Sequence, residues 1–122
     1  MQSKRPLSLA FAGFALFLFA LPSFFASPGY CADDAVARRQ KAESLCNKGM
    51  QARSLQRDDE AEKCFVEAIK LYPQGDFLYT SRADFYKEKG KFDLALADVR
   101  KAVSLSGGSL ENHKKLADML DM

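Results

Sequence analysis

Residues 59–71, DEAEKCFVEAIKL, and residues 93–105, DLALADVRKAVSL, decide the fold between them. At an offset of 34 residues, Asp59 falls on Asp93, Ala61 on Ala95, Ala68 on Ala102 and Leu71 on Leu105. Phe65 meets Val99 and Ile69 meets Val103, one apolar side chain for another. Upstream, Lys48 meets Arg82 and Gly49 meets Ala83. Within both stretches apolar residues recur three and four positions apart, the spacing of one helix face. The matched alanines are small enough to let a second helix lie close against that face. A fixed period with two helices per period signals a helical repeat, whose units stack because each leaves an apolar face for its neighbour to cover.

Working outward, the breakers and caps divide the chain into five helices. Asp33 or Asp34 is placed to cap a first helix running to Arg53 or Ser54. Asp58 and Asp59 offer the cap of a second, which ends near Leu71 before Pro73 and Gly75. Asp76 starts a third, stopped by Gly90, a residue suited to a left-handed C-terminal cap. Asp93 opens a fourth that ends near Leu105. Gly107 and Gly108 break the chain again, and Ser109 can cap a last helix reaching about Leu120. No run alternates with period two for long enough to make a strand. The expected fold is all-α, with residues 33–122 forming one small domain around a modest core.

Residues 1–32 read differently. After Lys4 and Arg5 no charge occurs until Asp33, and Leu7–Leu21 is almost wholly apolar. A short basic start before such a run is what secretion machinery reads. Pro22 stops the run, and small residues follow. Cleavage after Ala32 would leave bulky Tyr30 three residues before the bond, and cleavage after Ala26 would leave Phe24 there. Cleavage after Gly29 leaves Ser27, which is acceptable. Two readings therefore stand: a cleaved signal peptide, or an uncleaved membrane anchor of about 20 apolar residues. Both export residues 33–122, since Lys4 and Arg5 stay inside. Lipidation of Cys31 is disfavoured by Tyr30, where a small residue is needed. Two of the 18 basic residues lie in this leader, which leaves 16 against 16 acidic ones beyond it. Without a basic surplus, nucleic acid is not the expected partner.

The 34-residue register resembles that of the tetratricopeptide repeat family. Repeat one, 42–75, supplies Leu45, Gly49, Ala52, Ala61, Phe65, Ala68 and Pro73 at the signature positions. Repeat two, 76–109, supplies Tyr79, Ala83, Tyr86, Ala95, Val99 and Ala102. The last helix, 110–120, continues with Leu116, Ala117 and Leu120, while Glu111, Lys114, Lys115 and Asp118 suit a solvating cap. Departures are Ala52 for an aromatic, Gly107 for proline, Gln56 at the turn where repeat two has Gly90, and Lys48 and Arg82 at a usually apolar place. Two repeats are few, so marginal stability, self-association or completion by a partner is expected.

The chemistry expected of these residues is binding. His113 is the only histidine, and it reads as a packing or surface residue of the last helix. No thiol or hydroxyl is placed to pair with it as nucleophile and base, and no phosphate loop or nucleophile elbow is present. Neither an enzyme nor a cofactor or metal site is expected. In the family's geometry Cys46 faces the concave groove and Cys64 faces outward, too far apart for a disulfide. The resemblance also implies that first helices of each pair line a groove for a peptide or partner helix. Carried over, the lining is Glu43, Cys46, Met50 and Arg53 from repeat one, and Phe77, Thr80, Asp84 and Lys87 from repeat two. The Lys and Asn set with which some members grip a C-terminal carboxylate is missing, because Cys46 and Met50 occupy its places. The resemblance implies a protein-binding scaffold, here exported to the periplasm or cell envelope. The alternative is a self-associating structural unit completed by another copy and tethered by its anchor.

Overall fold

Helix-forming stretches separated by proline, glycine and short polar turns give five α-helices among the residues described by the computed structural model, 27–122. They are α1 (Ser27–Ser54), α2 (Asp58–Leu71), α3 (Asp76–Glu88), α4 (Phe92–Ser106) and α5 (Leu110–Leu120), with no strand among them. The chain divides into two units, 1–36 and 37–122. The described part of the first, 27–36, is helical. The second holds the core. The leader readings, the cleavage positions and Cys31 fall outside the residues whose side chains are described. No described helix is long and apolar enough to cross a membrane.

Three helix starts differ from expectation. Asp33 and Asp34 do not cap α1, which is already helical from Ser27. Pro28 falls in its first turn, where a missing N–H leaves no hydrogen bond unmade. Asp58 is the first residue of α2, with Arg57 at the cap position, and Phe92 rather than Asp93 opens α4. Asp58, Asp59, Glu60 and Asp93 all sit in first turns, where carboxylates oppose the positive helix end without capping it. Asp58 pairs instead with Lys89 across the α2–α3 interface, at 2.7 Å.

The two repeats use the same turn. Arg57 N–H donates to Ala52 O at 2.9 Å, and 34 residues on Lys91 N–H donates to Tyr86 O at 2.9 Å. Both turns need a left-handed residue: Gly90 has φ 74°, and Gln56 adopts φ 57° although it bears a side chain.

Small residues bring the helices together as their positions require. A Cβ placed on Gly49 would lie 3.0 Å from the Phe65 ring, so α1 passes α2 at contact distance. Ala61, Ala68, Ala83, Ala95 and Ala102 are likewise buried. Phe65 tilts against Phe85 with ring centroids 5.9 Å apart, and Phe85 against Tyr86 at 5.6 Å. Leu78 and Phe85 are among the largest fully buried side chains. They lie on a third face of α3, outside the signature positions.

That third face explains Arg82. It falls between Leu78 and Phe85, and its guanidinium forms a two-point bridge to Asp98 of α4, with Nε–Oδ2 2.8 Å and Nη2–Oδ1 2.7 Å. The guanidinium also sits 5.6 Å from the Tyr86 ring and 6.0 Å from that of Tyr79. Its hydrogen bond to Asp98 raises the arginine pKa further, fixing the charge. In α5 the corresponding face carries Asn112, Leu116 and Met119. Buried Asn112 donates to Asp76 Oδ2 at 3.1 Å. His113 is exposed.

Candidate functional site: the groove of the first helices

α1, α3 and α5 are the first helices of successive pairs, and residues 34 apart on them share a face. On α1 the face runs Arg39, Glu43, Cys46, Asn47, Met50 and Arg53, at the three- and four-residue spacing of one helix side. A depression of about 400 Å³ is lined by Arg39, Glu43, Cys46, Asn47 and Met50 together with Phe77 and Ser81 of α3. A second, of about 480 Å³, is lined by Arg53, Asp84, Lys87, Glu88, Phe92 and Met122. A third, of about 190 Å³, joins Asp84 and Lys87 to Glu111, Lys114, Lys115, Asp118 and Met119 of α5.

Seven of the eight residues named from the sequence thus line one or other depression. Glu43, Cys46, Met50 and Phe77 share the first; Arg53, Asp84 and Lys87 share the second. Thr80 is the exception: half-buried, it donates its hydroxyl hydrogen to Phe77 O at 2.9 Å, a bond back onto its own helix. Cys46 also differs from expectation. It is 2% exposed and belongs to the core, so it forms the floor of the groove rather than a reaching contact. Burial raises its pKa, against a hydrogen bond with Ser81, which favours the neutral thiol in this small apolar wall. Cys64, expected to face outward, is buried too, and both are free thiols.

The charges of the groove are largely tied to one another. Arg39 bridges Glu43 at 2.9 Å along α1. Arg53 forms a two-point bridge to Glu88 of α3, with Nε–Oε2 2.8 Å. Lys115 of α5 reaches Asp84 of α3 at 2.8 Å. Lys87, Lys114, Glu111 and Asp118 have no ion pair among the described residues and remain available to a ligand of mixed charge. Phe77 and Met50 supply the apolar surface, Met50 being 41% exposed. The polar residues of α5, read from the sequence as a solvating cap, are exposed or half-buried and also line the third depression. No group of three or more His, Cys, Asp or Glu among the described residues is arranged to hold a metal.

Comparison with known proteins agrees with this geometry. The Protein STIP1 homolog of Dictyostelium discoideum is 38% identical over 66 residues, which are 54% of this chain and 12% of that protein. The chain therefore spans a small fraction of that curated relative. The solved first TPR of Spaghetti (RPAP3), bound to the HSP90 peptide SRMEEVD, is 29% identical with a TM-score of 0.60, covering 66% of this chain and 64% of that one. The TPR2B domain of yeast Sti1, in a complex with pHsp70, is 25% identical with a TM-score of 0.58 over the same shares. The Arabidopsis OM64 TPR domain, at 23% identity and TM-score 0.61, covers 69% of each chain and shares the fold. Tetratricopeptide repeat models match residues 42–74 and 78–108, together just over half of the chain. With two matched repeats, a shared turn and a stacked third helix, this chain belongs to the tetratricopeptide repeat family.

Proposed function

We propose that this protein is a protein-binding scaffold that takes a peptide or partner helix along the groove of α1, α3 and α5. The observation that carries this reading is the convergence of Met50 and Phe77 from two helices over the buried floor of Cys46. An exposed apolar side chain, Met50, beside a half-buried one, Phe77, in a concave site is what anchors a ligand side chain. A similar repeat domain solved with a bound peptide supports a peptide as the kind of ligand. The ligand differs in kind from one gripped by its C-terminal carboxylate, because Cys46 and Met50 offer no strong donor there. It carries an apolar anchor with charges of both signs on either side, to meet Lys87, Lys114, Glu111 and Asp118. The reading further places the module outside the cytoplasm, in the periplasm or at the envelope, on the strength of Lys4, Arg5 and the apolar run Leu7–Leu21.

Capture from envelope extracts with wild-type protein and with Met50→Ala/Phe77→Ala tests the groove. Loss of the captured partners is expected, and an unchanged partner set refutes the assignment. Cell fractionation and the N-terminal sequence of the mature protein test export. A cytoplasmic protein retaining its leader would overturn that part alone.

A further inference from the structure

The depression between α1 and α3 sets two sulfur atoms and one aromatic ring around a single space of about 400 Å³. Cys46 is its buried floor, Met50 rises from α1, and half-buried Phe77 stands opposite on α3. The polar groups around them are mostly engaged already. Arg39 and Glu43 are closed on each other at 2.9 Å, and the Ser81 hydroxyl donates to Phe77 O at 2.8 Å. Asn47 is different. It is exposed, it lines the same space, and its carboxamide makes no hydrogen bond among the described residues. Its Oδ1 is an acceptor open to a ligand, beside an apolar floor. The depression lies between two successive repeats on the concave face, so its opening does not depend on what adjoins either end of the stack.

We propose that the anchor taken here is the indole of a tryptophan in the partner protein; this rests on the groove reading above and names the side chain that the groove takes. Charge, packing and hydrogen bonding select it in turn. The charges at this depression compensate each other, so a neutral side chain complements it, and a charged one would lose water without gaining a partner. Among neutral side chains, a planar ring gains what an aliphatic one does not. It makes sulfur–ring contacts with Met50 and Cys46 and an offset or edge contact with Phe77, beyond the area it buries. Met50 is unbranched and can lie flat against such a ring. Among rings, indole carries an N–H donor on its side, so the ring can rest on the floor while the N–H reaches Asn47 Oδ1 at the rim. Phenylalanine leaves Asn47 unused. A tyrosine entering tip first presses its hydroxyl onto the apolar floor.

The test uses the full chain with isotope-labelled methionine methyls, observed by NMR, the Met50 signal being assigned by its loss in Met50→Leu. Capped peptides with a central tryptophan, phenylalanine, tyrosine or leucine between glycines are titrated in. The tryptophan peptide should move the Met50 signal upfield through its ring current, leave that of Met119 in place, and bind about tenfold more tightly than the leucine peptide. Asn47→Ala, an exposed change that leaves the core intact, should weaken the tryptophan peptide about fivefold, the loss of one hydrogen bond, and leave the phenylalanine peptide unchanged. Leucine or tyrosine binding as tightly as tryptophan, a Met50 signal that no peptide moves, or equal weakening of the tryptophan and phenylalanine peptides by Asn47→Ala overturns the proposal. Partner capture that depends on Met50 and Phe77 while the tryptophan preference is absent removes this inference and leaves the groove reading standing. Capture that ignores both residues removes the groove reading itself.

Discussion

Replacing Arg82 by methionine tests how α3 and α4 are held together. Asp98 has a side chain 7% exposed, and Arg82 one 19% exposed, so their bridge is largely shielded from water. Methionine keeps much of the packing between Tyr79 and Tyr86 but leaves the Asp98 carboxylate without its partner. Breaking a buried pair by removing one member costs about 3–5 kcal/mol. Lost ring contacts with the guanidinium add about 0.5–1 kcal/mol. The unit 37–122, at ordinary stability per residue, has about 4–13 kcal/mol in total. Arg82→Met should therefore lower Tm by about 15–45 °C. Asp98→Leu alone should cost less, because Arg82 keeps a route to solvent along its flexible stem. The double variant Arg82→Met/Asp98→Leu should return to within about 1 kcal/mol of wild type, since an apolar pair of similar volume replaces the ionic one without its desolvation cost. Urea unfolding followed by far-ultraviolet circular dichroism measures all four proteins and gives the coupling energy. A loss under about 1 kcal/mol for Arg82→Met, or a double variant as destabilised as the two singles summed, refutes the reasoning.

The turn and the helix crossing yield two further expectations. Gln56→Gly removes a side chain from a left-handed residue of the first turn and should raise stability by about 1 kcal/mol, read as a higher urea midpoint; a lower midpoint contradicts the turn's geometry. Gly49→Ala should lower the midpoint despite alanine's better helix propensity, because the new Cβ would sit 3.0 Å from a Phe65 ring already held against Phe85. The overpacking cost of about 1–3 kcal/mol exceeds the roughly 1 kcal/mol gained in propensity, and a stabilised variant would show that Phe65 can yield.

Much of the groove was legible because a helix converts sequence spacing directly into a face. Glu43, Met50, Arg53, Phe77, Asp84 and Lys87 needed only a register and a helix assignment to be placed. The burial of Cys46 and the turning of the Thr80 hydroxyl onto its own helix have a reason the spacing does not contain. Each residue lies on the edge between the groove face and a packed face, and the approach of the neighbouring helix decides how much of such an edge is covered. The burial of Cys64 follows the same rule.

The sequence by itself determined the helices, the 34-residue period and the small residues at the crossing points, since propensity, spacing and steric bulk are local properties. Tertiary structure alone decided what depends on two elements meeting. It joined Arg82 to Asp98, 16 residues apart, and turned an exception to the repeat pattern into an interhelical bridge. It buried Leu78 and Phe85, which the signature positions do not mark. It also turned α5 so that its charged side faces the groove and its stripe of Leu110, His113, Ala117 and Leu120 faces solvent. Which side of a helix is covered depends on where its neighbours stop, and local preferences do not encode that.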